Sequence, residues 1–172
     1  MSTEKLKFSK KQNQEVTTLE AKTAEKLESA AAISIKLAGL RLKRIDTDSL
    51  NNPEIYKEYQ EIITLVENAA TTFNMLGKNK DSIKHWKIAA NMHLKLLMEG
   101  IRDTEYSEIN LKQRVADATN AIKAAKKASD TELLATISHA VRGILKLYNH
   151  SIDSANSDIE QLLADSLKKA QR

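Results

Sequence analysis

Between residues 55 and 76, Ile55, Tyr59, Ile62, Val66, Ala69, Phe73 and Leu76 step by 4, 3, 4, 3, 4 and 3. Only an α-helix brings such positions onto one face, and a face of that period is a seam made for a neighbouring helix. The rest of the chain is compatible with the same secondary structure. Its 172 residues include four Gly and one Pro, so the strongest helix breakers are scarce. No segment shows the period-two alternation of a half-buried strand. With 41% hydrophobic and 29% charged residues, the chain can both bury a core and solvate its faces. Aromatic content is only 4%, which predicts an aliphatic, alanine-rich core with closely approaching helices. The expected fold is all-α: an antiparallel bundle of five or six helices, in a single domain over 14–172 behind a flexible basic arm at 1–13.

The expected helices are set by periodicity and punctuation. Val16, Leu19, Thr23, Leu27, Ala30, Ser34, Leu37 and Leu40 approximate a stripe on a first helix over about 14–45. The segment Asp46 to Pro53 reads as a turn, with Asn52 as the cap and Pro53 in the first turn of the second helix. Gly77 marks the end of that helix. A third helix, about 80–100, should turn Ile83, Trp86, Ala90, Leu94 and Leu97 inward. A fourth, about 105–127, should use Ile109 or Leu111, then Val115, Ala118, Ile122 and Ala125. Ser129 and Glu132 have the spacing of a capping box at the start of a fifth helix. From Leu134 through Leu162 the helical phase continues, either as one helix bent near Asn149 or as two joined there.

Ala69, Ala70, Phe73, Gly77, Ser82, Trp86 and Ala89 carry small, aromatic and turn residues at particular intervals. Small residues let two helices approach, the aromatics fill the space between them, and the glycine permits the reversal. This stretch, 69–97, resembles a tetratricopeptide-type helical hairpin and the related trafficking MIT domains. Asn91 to Leu97 is also similar to helices of soluble NSF attachment proteins. One period upstream of Phe73 stands Gly39, and one period downstream of Gly77 stands Leu111, so only one copy is legible. The resemblance implies a non-enzymatic adaptor or scaffold subunit that binds a partner protein, as a helix or peptide laid in a groove. Tyr59, Ile63, Asn91 and Lys95 are the expected partner-binding residues.

Catalytic and metal chemistry finds no pattern here. The chain has no Cys, so thiolate sites and disulfides are excluded. None of His85, His93, His139 and His150 stands four from another or three after a Glu, so the helical zinc and di-iron spacings are missing. These histidines are expected at the surface or its boundary. No phosphate loop, dinucleotide turn or serine elbow occurs. No cofactor is expected, and Glu58, Glu61 and Glu67 read as a solvated face.

Charge is unevenly placed. Residues 1–44 hold ten Lys and Arg against five Glu, although the whole chain is only +4. The cluster Lys36, Arg41, Lys43 and Arg44 could meet nucleic acid or an anionic membrane. A helix C-terminus attracts the same residues, and no aromatics interleave them to stack bases. The missing signal-peptide core and the absence of Cys lead to an expected cytoplasmic location. A self-associating structural bundle, a homo-oligomer built on one of the seams, is the remaining alternative.

Overall fold

A computed structural model describes residues 10–50, 52–99 and 108–147. All elements among them are helices: α1 (Lys10–Leu42), α2 (Pro53–Met75), α3 (Asn79–Glu99), α4 (Glu108–Lys127) and α5 (Thr131–Leu147). Each packs on the next along the chain, and α5 also returns to α3. The pairs run antiparallel. Arg41 of α1 meets Glu58 and Glu61 near the start of α2, while Glu28 of α1 meets Lys78 just past its end. Arg114 reaches the carbonyl of Leu96, and Lys127 lies over Trp86, so α3 and α4 are opposed in the same way. One apolar cluster draws residues from all five helices, with Ile62, Leu97, Ile122 and Ile137 at its centre. A smaller one joins Ala31 to Ala69 and Phe73.

The start of α2 accords with its sequence. Asn52 Oδ1 accepts the Glu54 amide at 2.9 Å, and Pro53 occupies the first turn. Its end accords too. Gly77 has φ of 71°, the Lys78 amide donates to Phe73 O at 2.8 Å, and the Gly77 amide donates to Asn74 O at 3.0 Å. That paired pattern satisfies carbonyls otherwise orphaned at a helix end. The α2 seam is buried from Tyr59 to Phe73, with Ile63 and Ala70 buried beside it. These two widen the apolar face so that α2 is covered by α1 on one side and α3 on the other.

The end of α4 departs from expectation. Ser129 does not form a capping box with Glu132. It adopts φ of 52° and terminates α4, its amide donating to Lys126 O while the Asp130 amide donates to Ala125 O. Asp130 caps α5 instead, its Oδ1 accepting the Leu133 amide at 2.8 Å. A left-handed residue was required between two helices joined this tightly, and Ser129 is the residue available there.

Three further corrections concern facing and boundaries. The α1 helix begins at Lys10, so the last residues of the expected arm are helical, and 1–9 lie outside the described residues. The α1 face against α2 is Ala31 and Ala38 with Ile35 and Leu42, while Val16, Leu19, Leu27, Leu37 and Leu40 of the expected stripe are exposed. Small side chains allow α1 to approach Ala69 and Phe73, which a leucine stripe would hold away. On α3, Ile83 faces out, and Ser82, His85 and His93 take buried places beside Trp86, Ala89 and Ala90. The expected helical continuation after Leu147, including any bend near Asn149, lies outside the described residues, as do Ile109 and Leu111 side chains.

Candidate interaction surface

Two of the four residues expected to line a partner groove are core. Tyr59 and Ile63 are 3% and 1% exposed. Burial pushes the Tyr59 hydroxyl up to about 12. Asn91 is exposed and donates to Lys87 O within its own helix. Lys95 is committed to the turn after α1, donating to Thr47 Oγ1 at 2.8 Å. The four therefore do not form one accessible groove. They sit at seam positions adjacent in sequence phase, and the width of the α2 face, set by two neighbours, turned half of them inward.

The basic cluster also divides. Arg41 is half-buried and bonds Glu61 at 2.9 Å, with Glu58 at 3.7 Å. It is spent on holding α1 to α2. Lys36, Lys43 and Arg44 are exposed.

Polar side chains collect at the junction of α2, α3 and α4. The Tyr56 hydroxyl donates to Asp117 Oδ1 at 2.6 Å and accepts from Gln113 and from Gln60. Arg114 Nη1 donates to Leu96 O at 2.9 Å and to Asp117 Oδ2 at 3.4 Å. Asp117 is 1% exposed. Burial raises its pKa above the ordinary carboxylate value, against the bond from Tyr56 and the charge of Arg114. Tyr56 is raised strongly, first by burial and then by the Asp117 carboxylate. Nearby, His93 Nε2 meets Glu67 Oε1 at 3.1 Å, while His85 stacks on Phe73 with centroids 5.3 Å apart. These two histidines are buried, contrary to the surface expectation; His139 is exposed and His150 lies outside the described residues. The sequence hint was weak: Arg114 and Asp117, at i and i+3, border the Val115–Ala118 stripe rather than oppose it. Chemically the junction is a lock. Leu96 O is one of the last four carbonyls of α3, and Arg114 supplies a charged donor to it. Among the described residues, no group of three or more His, Asp or Glu could hold a metal ion.

The outer face of α1 is different in kind. Leu19, Thr23, Lys26, Ala30, Ile33, Leu37 and Leu40 step by 4, 3, 4, 3, 4 and 3, and all seven are exposed. Ile33 is 66% and Leu19 58% exposed. The helix is also longer than its support. Its 33 residues span about 50 Å against about 35 Å for the 23 of α2. Because Glu28 already meets Lys78 beyond the end of α2, the turns before it project past the α2–α3 turn. Every residue from Asn13 to Thr23 is exposed. Thr17, Thr18 and Thr23 in this projection bond back to Asn13 O, Gln14 O and Leu19 O. Such threonines are poor helix formers, and isolated helices of this length are marginal in water.

Comparison with protein-family models, with curated proteins and with solved structures finds no match. No helix among the described residues is long and apolar enough to cross a membrane.

Proposed function

We propose that this chain is a non-enzymatic protein-interaction subunit, in which α2 to α5 form a rigid support and the outer face of α1 receives a helix of a partner protein. One observation carries this reading: a heptad-spaced seam on α1, with the same stepping as that of α2, is left uncovered by the described residues. Full burial of an Ile or Leu is worth about 1.5–3 kcal/mol. Four such side chains, Leu19, Ile33, Leu37 and Leu40, are available on this face. They are 43–66% exposed, so about half of that value remains to be gained at each, roughly 3–6 kcal/mol together toward the cost of association. The projecting turns gain most, since a partner helix would supply the tertiary contacts that hold a weak helix-forming sequence in place.

A tetratricopeptide-like packing of α2 on α3 fits the same role as the support. In its favour, Ala69, Ala70, Phe73, Ser82, Trp86 and Ala89 are buried, and Gly77 has positive φ. The docking surface in this proposal is nevertheless α1, because Tyr59 and Ile63 are occupied by the core. The test is site-resolved crosslinking in the native source. A photo-activatable residue replacing Ile33 should capture one partner protein, and the same residue replacing the exposed Asn68 of α2 should not. Capture that does not depend on position would sink the reading.

A further inference from the structure

The charges around the exposed seam say what kind of helix it takes, provided the docking reading above holds. Along one flank, at positions immediately preceding Val16, Thr23, Ala30, Leu37 and Arg44, stand Glu15, Lys22, Ser29, Lys36 and Lys43, basic from Lys22 onward. Lys26 lies on the seam itself, and Lys22, Lys26 and Lys36 are all exposed. On the other flank stand Glu20, Leu27, Ser34 and Arg41, and Arg41 is held by Glu58 and Glu61. Glu28 is turned toward Lys78, while Glu25 is exposed beside Lys22 and Lys26. An open depression on this side is lined by Lys22, Glu25, Lys26, Ser29, Ala30 and Ile33, so two cations, one acid and apolar groups share one surface.

Residues that flank a heptad seam decide partner and orientation through their charges. A second copy of this chain is a poor fit by that criterion. A parallel pair of α1 helices would stack Lys26 on Lys26 and set Glu15 against Glu20 and Lys36 against Arg41. A centred antiparallel pair would set Lys22 against Lys36 twice and Glu15 against Lys43 twice. Neither arrangement gains net opposite charge. A nucleic acid is a poor fit because an apolar seam runs between the lysines, where phosphates would lose water without gaining contacts.

We infer that the occupant is an acidic amphipathic helix of another protein, with an apolar seam of the same spacing and Glu or Asp along its flanks. Leu19, Ile33, Leu37 and Leu40 meet its apolar residues, and Lys22, Lys26 and Lys36 meet its carboxylates. The lysines set which helix is accepted, and the seam holds it.

The experiment uses the full chain and three probes. Two are synthetic heptad peptides with Leu at the seam positions, one with Glu and one with Lys on both flanks; the third is vesicles of phosphatidylcholine and phosphatidylserine. Fluorescence anisotropy should show the Glu peptide binding at least about 10-fold more tightly than the Lys peptide at low salt. The ratio should fall toward unity near 1 M salt, where screening is nearly complete. Lys22→Glu, Lys26→Glu and Lys36→Glu together should reverse the preference. Ile33→Ser, Leu37→Ser and Leu40→Ser together should abolish binding of both peptides, with the helical content by circular dichroism retained. Equal binding of the two peptides would overturn the acidic assignment and leave the docking reading standing. Vesicle binding with neither peptide bound, or no binding to any probe, would overturn both. A dimer of the chain alone, dispersed by the seam substitutions, would make a second copy the occupant and overturn the inference.

Discussion

The α2 seam and the outer α1 seam have the same stepping over similar lengths, yet one is core and the other is open surface. The difference lies in what surrounds each spacing. On α2, Ile63 and Ala70 adjoin the seam, so the apolar arc is wide enough for two neighbours. On α1, Thr23 and Lys26 interrupt the seam, and the side covered by α2 is instead the one lined by Ala31 and Ala38. Periodicity announces that a helix will be met; the breadth and smoothness of the arc decide whether the same chain supplies it.

Substitutions separate the two surfaces by size of effect. The largest loss is expected at Trp86, 7% exposed and capped by Lys127 at 3.8 Å from its ring centroid. Trp86→Ala should cost about 3–5 kcal/mol in urea unfolding, and a loss under about 1 kcal/mol would place the indole outside the core. On the covered seam, Ile62→Ala should cost about 2–5 kcal/mol, since Ile62 is fully buried.

The charge lock beside that core has its own signature. Because burial raises the Asp117 pKa in the folded chain, the unfolded chain loses this proton first as pH rises. Stability contributed by Asp117 therefore declines as pH climbs from its ordinary value through its folded value, and is level beyond. The exposed Asp46 and the partly buried Asp130 are shifted the other way, by the Ser49 hydroxyl and by Lys87 respectively. Their share is present above the ordinary value and is lost as pH falls through their folded values. Asp117→Asn should thus gain on the wild type as pH is raised from about 4 to 7, measured by urea unfolding at each pH. A difference that does not change with pH would mean that the carboxylate is solvated.

Smaller effects are expected at the α4–α5 turn and on the open seam. Asp130→Ala should cost about 1 kcal/mol through loss of the cap. Ile33→Ala should change the stability of the isolated chain by less than about 0.5 kcal/mol, because Ile33 is mostly in water. An Ile33→Ala loss comparable with that at Ile62 would show that the two seams are both covered and erase the contrast.

Much of the fold was legible residue by residue. Asn52, Pro53 and Gly77 bound α2 as their chemistry requires, and Ala118, Ile122 and Ala125 are buried as their spacing predicts. Less was legible where two local solutions compete. Ser129 has the side chain of a cap, but a left-handed residue was needed there and Asp130 was free to cap. His85 and His93 look like surface residues in isolation. An aromatic neighbour and a carboxylate from α2 make burial tolerable. Leu19, Thr23, Ala30, Leu37 and Leu40 were legible within a stripe of α1 and Lys26 and Ile33 were not, and all seven are exposed, since a sequence periodic on two sides does not label which side is inward.

What the amino-acid sequence determined alone is local: helices, because Gly and Pro are scarce and apolar residues recur at helical spacing, and helix ends, because Asn and Gly satisfy or permit what a terminus needs within a few residues. What only the tertiary structure decided is facing and partnership. Close approach through Ala31 and Ala38 turned α1 over, and the Tyr56–Asp117–Arg114 junction joined three helices through residues far apart in the chain. Both depend on the volumes and charges that other helices bring to the contact, which no local pattern contains.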